Sequence, residues 1–264
     1  MASPRFNVRR VSGAVAVGVV LALIAPLGHA ANPVAVVDFA DQWTKVAAVG
    51  PLLQKLKIPY DDLTPEVEKG SLKLAGQRIL FLGSMVTNNP TLHTNLDKNA
   101  DAIQAFAKGG GAVIEPTQAD QNEANVDWLP PGLKCVRSDP DSPDFKIEKP
   151  KHLMFNAPNK LTDDDFKAWG HQGWPTVWEV LAVLEGFDLL ASSQNRPVIG
   201  EATFGSGRFV MLSIAPDKYA LAGNDDRTKE KAALFFENLV NTYLPTDVSP
   251  RGRLATTWAA IRQR

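Results

Sequence analysis

The sequence predicts a three-layer α/β domain built on a mostly parallel sheet. Three observations carry this. Short β-branched runs alternate with helical stretches through the first half of the chain. The runs are apolar throughout, not at every second residue, as in strands covered on both faces. A glycine triplet at 109–111 leads directly from a helical pattern into another such run, which is the order of a βαβ unit.

The elements follow in order. Residues 34–37 (VAVV) read as a first strand ending at Asp38. Pro51 suits the first turn of a helix whose apolar face is Leu52, Leu53 and Leu56. Residues 58–60 form a second strand with Asp61 and Asp62 as its polar end, and residues 78–83 (RILFLG) form a third. Leu96, Ala100, Ile103 and Ala107 share one helical face, and Gly109 caps that helix. Residues 112–115 are the fourth strand. Residues 118–178 are rich in Pro, Asp and Trp, carry no period and read as irregular. Residues 197–202 and 208–214 flank a Gly-containing turn and form a hairpin. Residues 226–244 form a helix with Ala232, Phe236, Leu239 and Tyr243 on one face.

The two ends read differently from this domain, residues 31–244. Residues 1–30 carry three arginines, then an apolar stretch, then Gly28 and Ala30 at the small-residue positions of a cleavage site. That is the order of a secretory signal peptide and predicts an exported, periplasmic or extracellular protein. Losing those arginines from 28 basic residues leaves 25 against 29 acidic, a net charge of about −4. With 44% hydrophobic and 22% charged residues, the chain is neither disordered nor polytopic, and its balance leaves no nucleic-acid footprint. The lone Cys135 excludes an internal disulfide framework. In residues 245–264, Leu254, Trp258 and Ile261 recur at helical spacing among four arginines, a linker and amphipathic tail suited to docking on the domain or on a partner.

The order of these pieces resembles the class I glutamine amidotransferase-like superfamily, which has a flavodoxin-like fold. The resemblance rests on 58–63 (IPYDDL), RILFLG, 102–115 (AIQAFAKGGGAVIE), 203–214 (TFGSGRFVMLSI) and the helix ending FFENLVNTYL. Residues 152–169 also look like accessory domains of the superfamily in secreted or carbohydrate-associated bacterial proteins. Glutamine-hydrolysing members place a Cys on the turn after the fourth strand, where backbone N–H groups face the oxyanion. Here that turn is Glu115-Pro116-Thr117-Gln118, without Cys or Ser. The family's His-Pro-Glu base motif corresponds to Ala215-Pro216-Asp217, without the His. The resemblance therefore implies a member lacking both nucleophile and base.

Asp38, Asp61, Ser84, Glu115, Thr117 and Gln118 fall at the C-terminal ends of predicted parallel strands, the rim where open α/β sheets bind ligands. Polar residues also cap strands without binding anything. Glu115 and Asp217 are the acids best placed for catalysis of an altered kind. A Ser84 nucleophile served by His152 is conceivable, although no G-x-S-x-G surrounds it. Thr162-Asp163-Asp164-Asp165 suits a helix capping box better than a calcium site. The acids at 139–144 suit a solvated loop. Trp169, His171, Trp174 and Trp178 suit a core under a long loop better than a sugar platform. No histidine pair has zinc spacing, and neither glycine-rich piece opens a helix as a phosphate cradle does, so no metal or other cofactor is implied.

Two functions follow as expectations. The first is an exported, non-catalytic amidotransferase-like domain that holds a small molecule or a protein partner. The alternative is a hydrolase of altered mechanism on a carbohydrate-type substrate, using strand-end carboxylates. Two carboxylates facing each other across a pocket would favour the alternative. An elbow at Glu115-Pro116-Thr117-Gln118 filled by its own side chains would favour the first.

Overall fold

The computed structural model describes residues 31–40, 44–116, 126–138, 144–167, 169–171, 174–175, 177 and 180–244. The predicted signal segment and the C-terminal tail lie outside these residues, as do the acids at 139–143. In chain order the elements begin with β1 (Val34–Val37), α1 (Val49–Lys55), β2 (Tyr60–Asp62), α2 (Thr64–Glu68) and β3 (Ile79–Leu82). Then come α3 (Pro90–Lys98), α4 (Ala100–Lys108), β4 (Ala112–Pro116), β5 (Lys134–Ser138) and β6 (Lys146–Ile147). Next are α5 (Leu153–Asn156), α6 (Asp163–Phe166), β7 (Gly170–His171), β8 (Trp174–Pro175), β9 (Val180–Glu185) and β10 (Asp188–Ser193). The last are β11 (Arg196–Phe204), β12 (Gly207–Leu212), α7 (Pro216–Ala222) and α8 (Asp226–Tyr243).

The main sheet has eight strands in the order β2-β1-β3-β4-β12-β11-β10-β6. The first five run parallel, in the 2-1-3-4-5 order of flavodoxin-like folds. The last three extend the sheet antiparallel. Covered strands read as unbroken apolar runs because successive side chains point to opposite faces, both of them buried. Val34 and Val36 face the layer of α1, α5, α7 and α8, while Ala35 and Val37 face the layer of α2, α3 and α4. Phe81 on the first face meets Phe236 of α8 with ring centroids 5.3 Å apart. Fully burying a side chain of this kind contributes about 1.5–3 kcal/mol.

The hairpin forms around a two-residue turn. Gly205 takes φ +60°, a region where a side chain is strained. A Cβ at Gly207 would lie 2.1 Å from both Ala107 O and Gly111 O, so the strand passes α4 only without a side chain.

Three expectations change. The helix expected across residues 96–107 divides at Asn99, whose side chain accepts Leu72 N–H at 3.2 Å and donates to Asn95 O at 2.7 Å. These bonds compete with helical pairing at that residue. The stretch expected to be irregular contains strands: β5 pairs with β9 in a small sheet that packs through β9 on β11, on the sheet face that also carries α3 and α4, and β6 closes the edge of the main sheet. The second strand begins at Tyr60, two residues later than expected, so Asp61 lies inside it.

Two weighed alternatives resolve within the described residues. Thr162 N–H donates to Asp165 Oδ2 at 2.8 Å, which makes 162–165 a helix cap. Trp169 is buried with Phe166, Tyr219 and Phe235 in the core. The side chains of His171, Trp174 and Trp178 lie outside the description.

Candidate functional site

In this topology the strand order reverses between the parallel strands β1 and β3, and the crevice beyond their C-terminal ends is where such sheets bind ligands. Asp38 follows β1, and Gly83 and Ser84 follow β3. Asp38 accepts Phe39 N–H on Oδ1 and Val49 N–H on Oδ2, each at 2.8 Å, so one carboxylate ties both ends of the intervening loop. A Cβ at Gly83 would lie 1.9 Å from Asp38 Oδ1, so glycine there lets the carboxylate lie against the backbone.

The late strand supplies the other half. Asp217 sits in the first turn of α7, where an acid suits the helix dipole. It accepts Ser84 N–H on Oδ2 at 3.1 Å and the Ser84 hydroxyl on Oδ1. The neighbouring Lys218 donates to Phe39 O at 2.9 Å and to Val46 O. Asp38, Ser84, Asp217 and Lys218 are 7, 1, 0 and 4% exposed. Burial and the nearby Asp217 charge push the Asp38 carboxyl up to about 7, against the pull of Lys218 and the two backbone N–H groups.

The crevice is thus occupied by the chain's own polar groups. Three sequence-predicted residues, Asp38, Ser84 and Asp217, come together there. The Ser84 hydroxyl donates to a carboxylate, and at 1% exposure its oxygen has no route to a substrate. The imagined Ser84–His152 pair does not form: His152 instead lies beside Glu201.

Glu115 occupies a second place. It lies inside β4 opposite Met211, 1% exposed, and its Oε2 lacks a hydrogen-bond partner among the described residues. Burial, and then the charge of Asp97, push its carboxyl up to about 8. Its electrostatic neighbours are Asp97 and Cys135, whereas those of Asp217 are Ser84 and Asp38. Glu115 and Asp217 therefore belong to separate buried clusters. Cys135 is 3% exposed, and burial with the Glu115 charge pushes its thiol far up. Since the thiolate is the reactive form, native protein is expected to resist iodoacetamide and to take one alkyl group in denaturant. Intact mass reads the difference, and rapid native labelling would contradict the burial.

Asp61 is not part of the rim. Because the strand starts late, its carboxylate turns toward the strand beginnings and accepts from Asn32 at 2.7 Å and Gln77 at 2.8 Å. Thr117 and Gln118 lie outside the described residues. Among the described residues no group of three or more His, Cys, Asp or Glu is arranged to hold a metal, and no helix is long and apolar enough to cross a membrane.

One polar cluster escaped the sequence reading. Glu201 of β11 lies 3.6 Å from His152 Nε2 and 3.5 Å from Arg208 Nε, and accepts the Tyr243 hydroxyl. Burial pushes its carboxyl up, but His152, Tyr243 and Arg208 outweigh this and hold it below the usual range. A signal was present. In a hairpin turning at 205–206, positions 201 and 208 are diagonal neighbours on one face. Glu201 and His152 both line a cleft of about 480 Å³ on the antiparallel side of the sheet.

No protein family model matches the chain, and no curated protein does. Solved structures do. A cytoplasmic protein from Salmonella typhimurium LT2 is 12% identical with a TM-score of 0.52, covering 78% of this chain and 89% of its own. The β-galactosidase from Rahnella sp. R3 is 14% identical with a TM-score of 0.48, covering 79% of this chain and 31% of its own. The exo-β-1,4-mannosidase from Opitutaceae bacterium strain TAV5 is 10% identical with a TM-score of 0.46, covering 83% of this chain and 37% of its own. The chain spans about a third of the length of the two glycosidases. At these identities the likeness concerns the fold alone.

Proposed function

We propose that this protein is an exported, non-catalytic amidotransferase-like domain that works by holding a ligand or a partner. The observation that carries the reading is the filled crevice. Asp217, at the position matching the family's base motif, is fully buried and bonded to Ser84. Glu115, beside the position matching the nucleophile, is sealed in a different cluster. Catalysis requires a group within reach of the reacting atom, and neither acid meets that condition. The amidotransferase kinship is supported by the order of strands and helices and by the motifs quoted above. Export is supported by the charged, apolar and small-residue zones of residues 1–30.

The test is a pair of assays on purified protein: ammonia release from glutamine, and hydrolysis of nitrophenyl glycosides. Neither is expected to exceed the buffer blank. Glutamine turnover abolished by Cys135→Ala would overturn the reading. Glycoside turnover lost in Glu115→Gln would replace it with the altered-mechanism hydrolase.

A further inference from the structure

We infer that the cleft beside Glu201 is a binding site for a small hydroxylated anion, a molecule carrying one carboxylate and several hydroxyls, as an acidic sugar does. The inference rests on the non-catalytic binding reading and gives it a place and a ligand class. The cleft lies between the segment after β6 and the strands β10 and β11. Its volume of about 480 Å³ falls in the range of small-molecule sites, roughly 300–1,000 Å³.

Its charges are of two kinds. Glu148 is committed: it accepts the Ser192 hydroxyl at 2.6 Å and Lys146 Nζ at 3.0 Å. Glu201 is compensated by Arg208 and hydrogen-bonded by Tyr243. Lys149 and Lys151 are exposed and have no ion pair among the described residues, and neither does Asp188. The segment after β6 therefore offers two uncommitted cations, and the strands β10 and β11 offer the carboxylate oxygens of Asp188 and Glu201, with Pro150 and Leu190 also lining the cleft.

The cations call for an anion on the ligand. The carboxylate oxygens call for hydrogen-bond donors. Because Glu201 already has a cationic partner in Arg208, neutral hydroxyl donors satisfy it without a second positive charge. His152 fits binding and not turnover. Its Nδ1 accepts Met154 N–H at 3.3 Å, so in the neutral ring the proton is on Nε2, facing Glu201. Both ring nitrogens are engaged, and neither is left to act as a base.

The experiment is calorimetric titration of the full-length protein at low salt with glucuronate, glucose, acetate and β-alanine. Glucuronate is expected to bind saturably, and about tenfold or more tighter than each of the other three. The double variant Lys149→Ala/Lys151→Ala is expected to bring glucuronate down to the level of glucose, with an unchanged melting temperature because both lysines are exposed. Absence of saturable glucuronate binding overturns the inference. So does acetate binding equally well, which would mean charge alone, or β-alanine binding better, which would mean an ammonium site. A double variant that binds glucuronate as the parent does also overturns it. Cleavage of a glucuronide would overturn the non-catalytic reading instead, so the two failures are distinct.

Discussion

Asp217→Ala is expected to remove about 3–5 kcal/mol of folding stability, the usual cost of breaking a buried charge cluster from one side. The reason is what remains behind. Ser84 N–H and its hydroxyl lose their acceptor in a place closed to water, and each orphaned group costs about 1–3 kcal/mol. Lys218 keeps its two carbonyl partners but loses a nearby negative charge. Asp217→Asn keeps the shape and one acceptor oxygen, so its loss should be smaller, while its NH2 group faces a donor. Urea denaturation at neutral pH reads both values. The variants also carry an electrostatic signature: the Asp217 charge helps hold the Asp38 carboxyl near 7, so Asp38 should titrate lower in either variant. An NMR titration in which Asp38 does not move would show that burial alone sets its value.

Much of the parallel half was legible because its physics is local. VAVV, ILFL within 79–82 and AVI within 112–114 are unbroken apolar runs, and two-sided burial explains such runs in strands. The hairpin was legible from its glycine turn and the final helix from its apolar face. The middle was not. β5 and β9 are exposed along part of their length and pair with each other, with β9 lying against β11 of the main sheet, a long-range relation without a local period. The site divides in the same way. Asp38, Ser84 and Asp217 sat at readable strand ends, yet that Ser84 bonds to Asp217 across 133 positions of sequence, with Asp38 close enough to feel that charge, is a property of the closed sheet. Asp61 went astray through a two-residue shift in strand start, which reassigns its side chain to other neighbours. Glu201 needed the hairpin register together with the far end of α8, and only the first of these was readable.

Glu115→Gln is expected to stabilise the protein at alkaline pH and to flatten its stability across the neutral range. The sign follows from the direction in which burial moves the carboxyl. Glu115 titrates at an ordinary value of 4.5 when unfolded and at about 8 when folded. Its neutral form is therefore the one the fold prefers. Its contribution is fully present below pH 4.5 and is lost as pH rises through about 8. Asp38, raised from 3.8 to about 7, adds a loss in the same direction. The lowered carboxyls of Glu148, Asp165 and Glu201 act oppositely and lose their contribution as pH falls below the ordinary carboxylate range. The native protein should therefore be most stable at mildly acidic pH. An amide at position 115 carries no charge to desolvate and none for Asp97 to repel. The gain at pH 8 and above should be on the order of 4–5 kcal/mol, because each tenfold change in proton affinity between the folded and unfolded chain corresponds to about 1.36 kcal/mol. Glu115→Ala separates charge from packing: it leaves a cavity and should destabilise the fold below pH 4.5, where no charge penalty exists. Denaturation curves across the acidic, neutral and mildly alkaline range decide the matter. A Glu115→Gln curve running parallel to that of the native protein would show that Glu115 ionises freely in the fold, and that water reaches the head of β4.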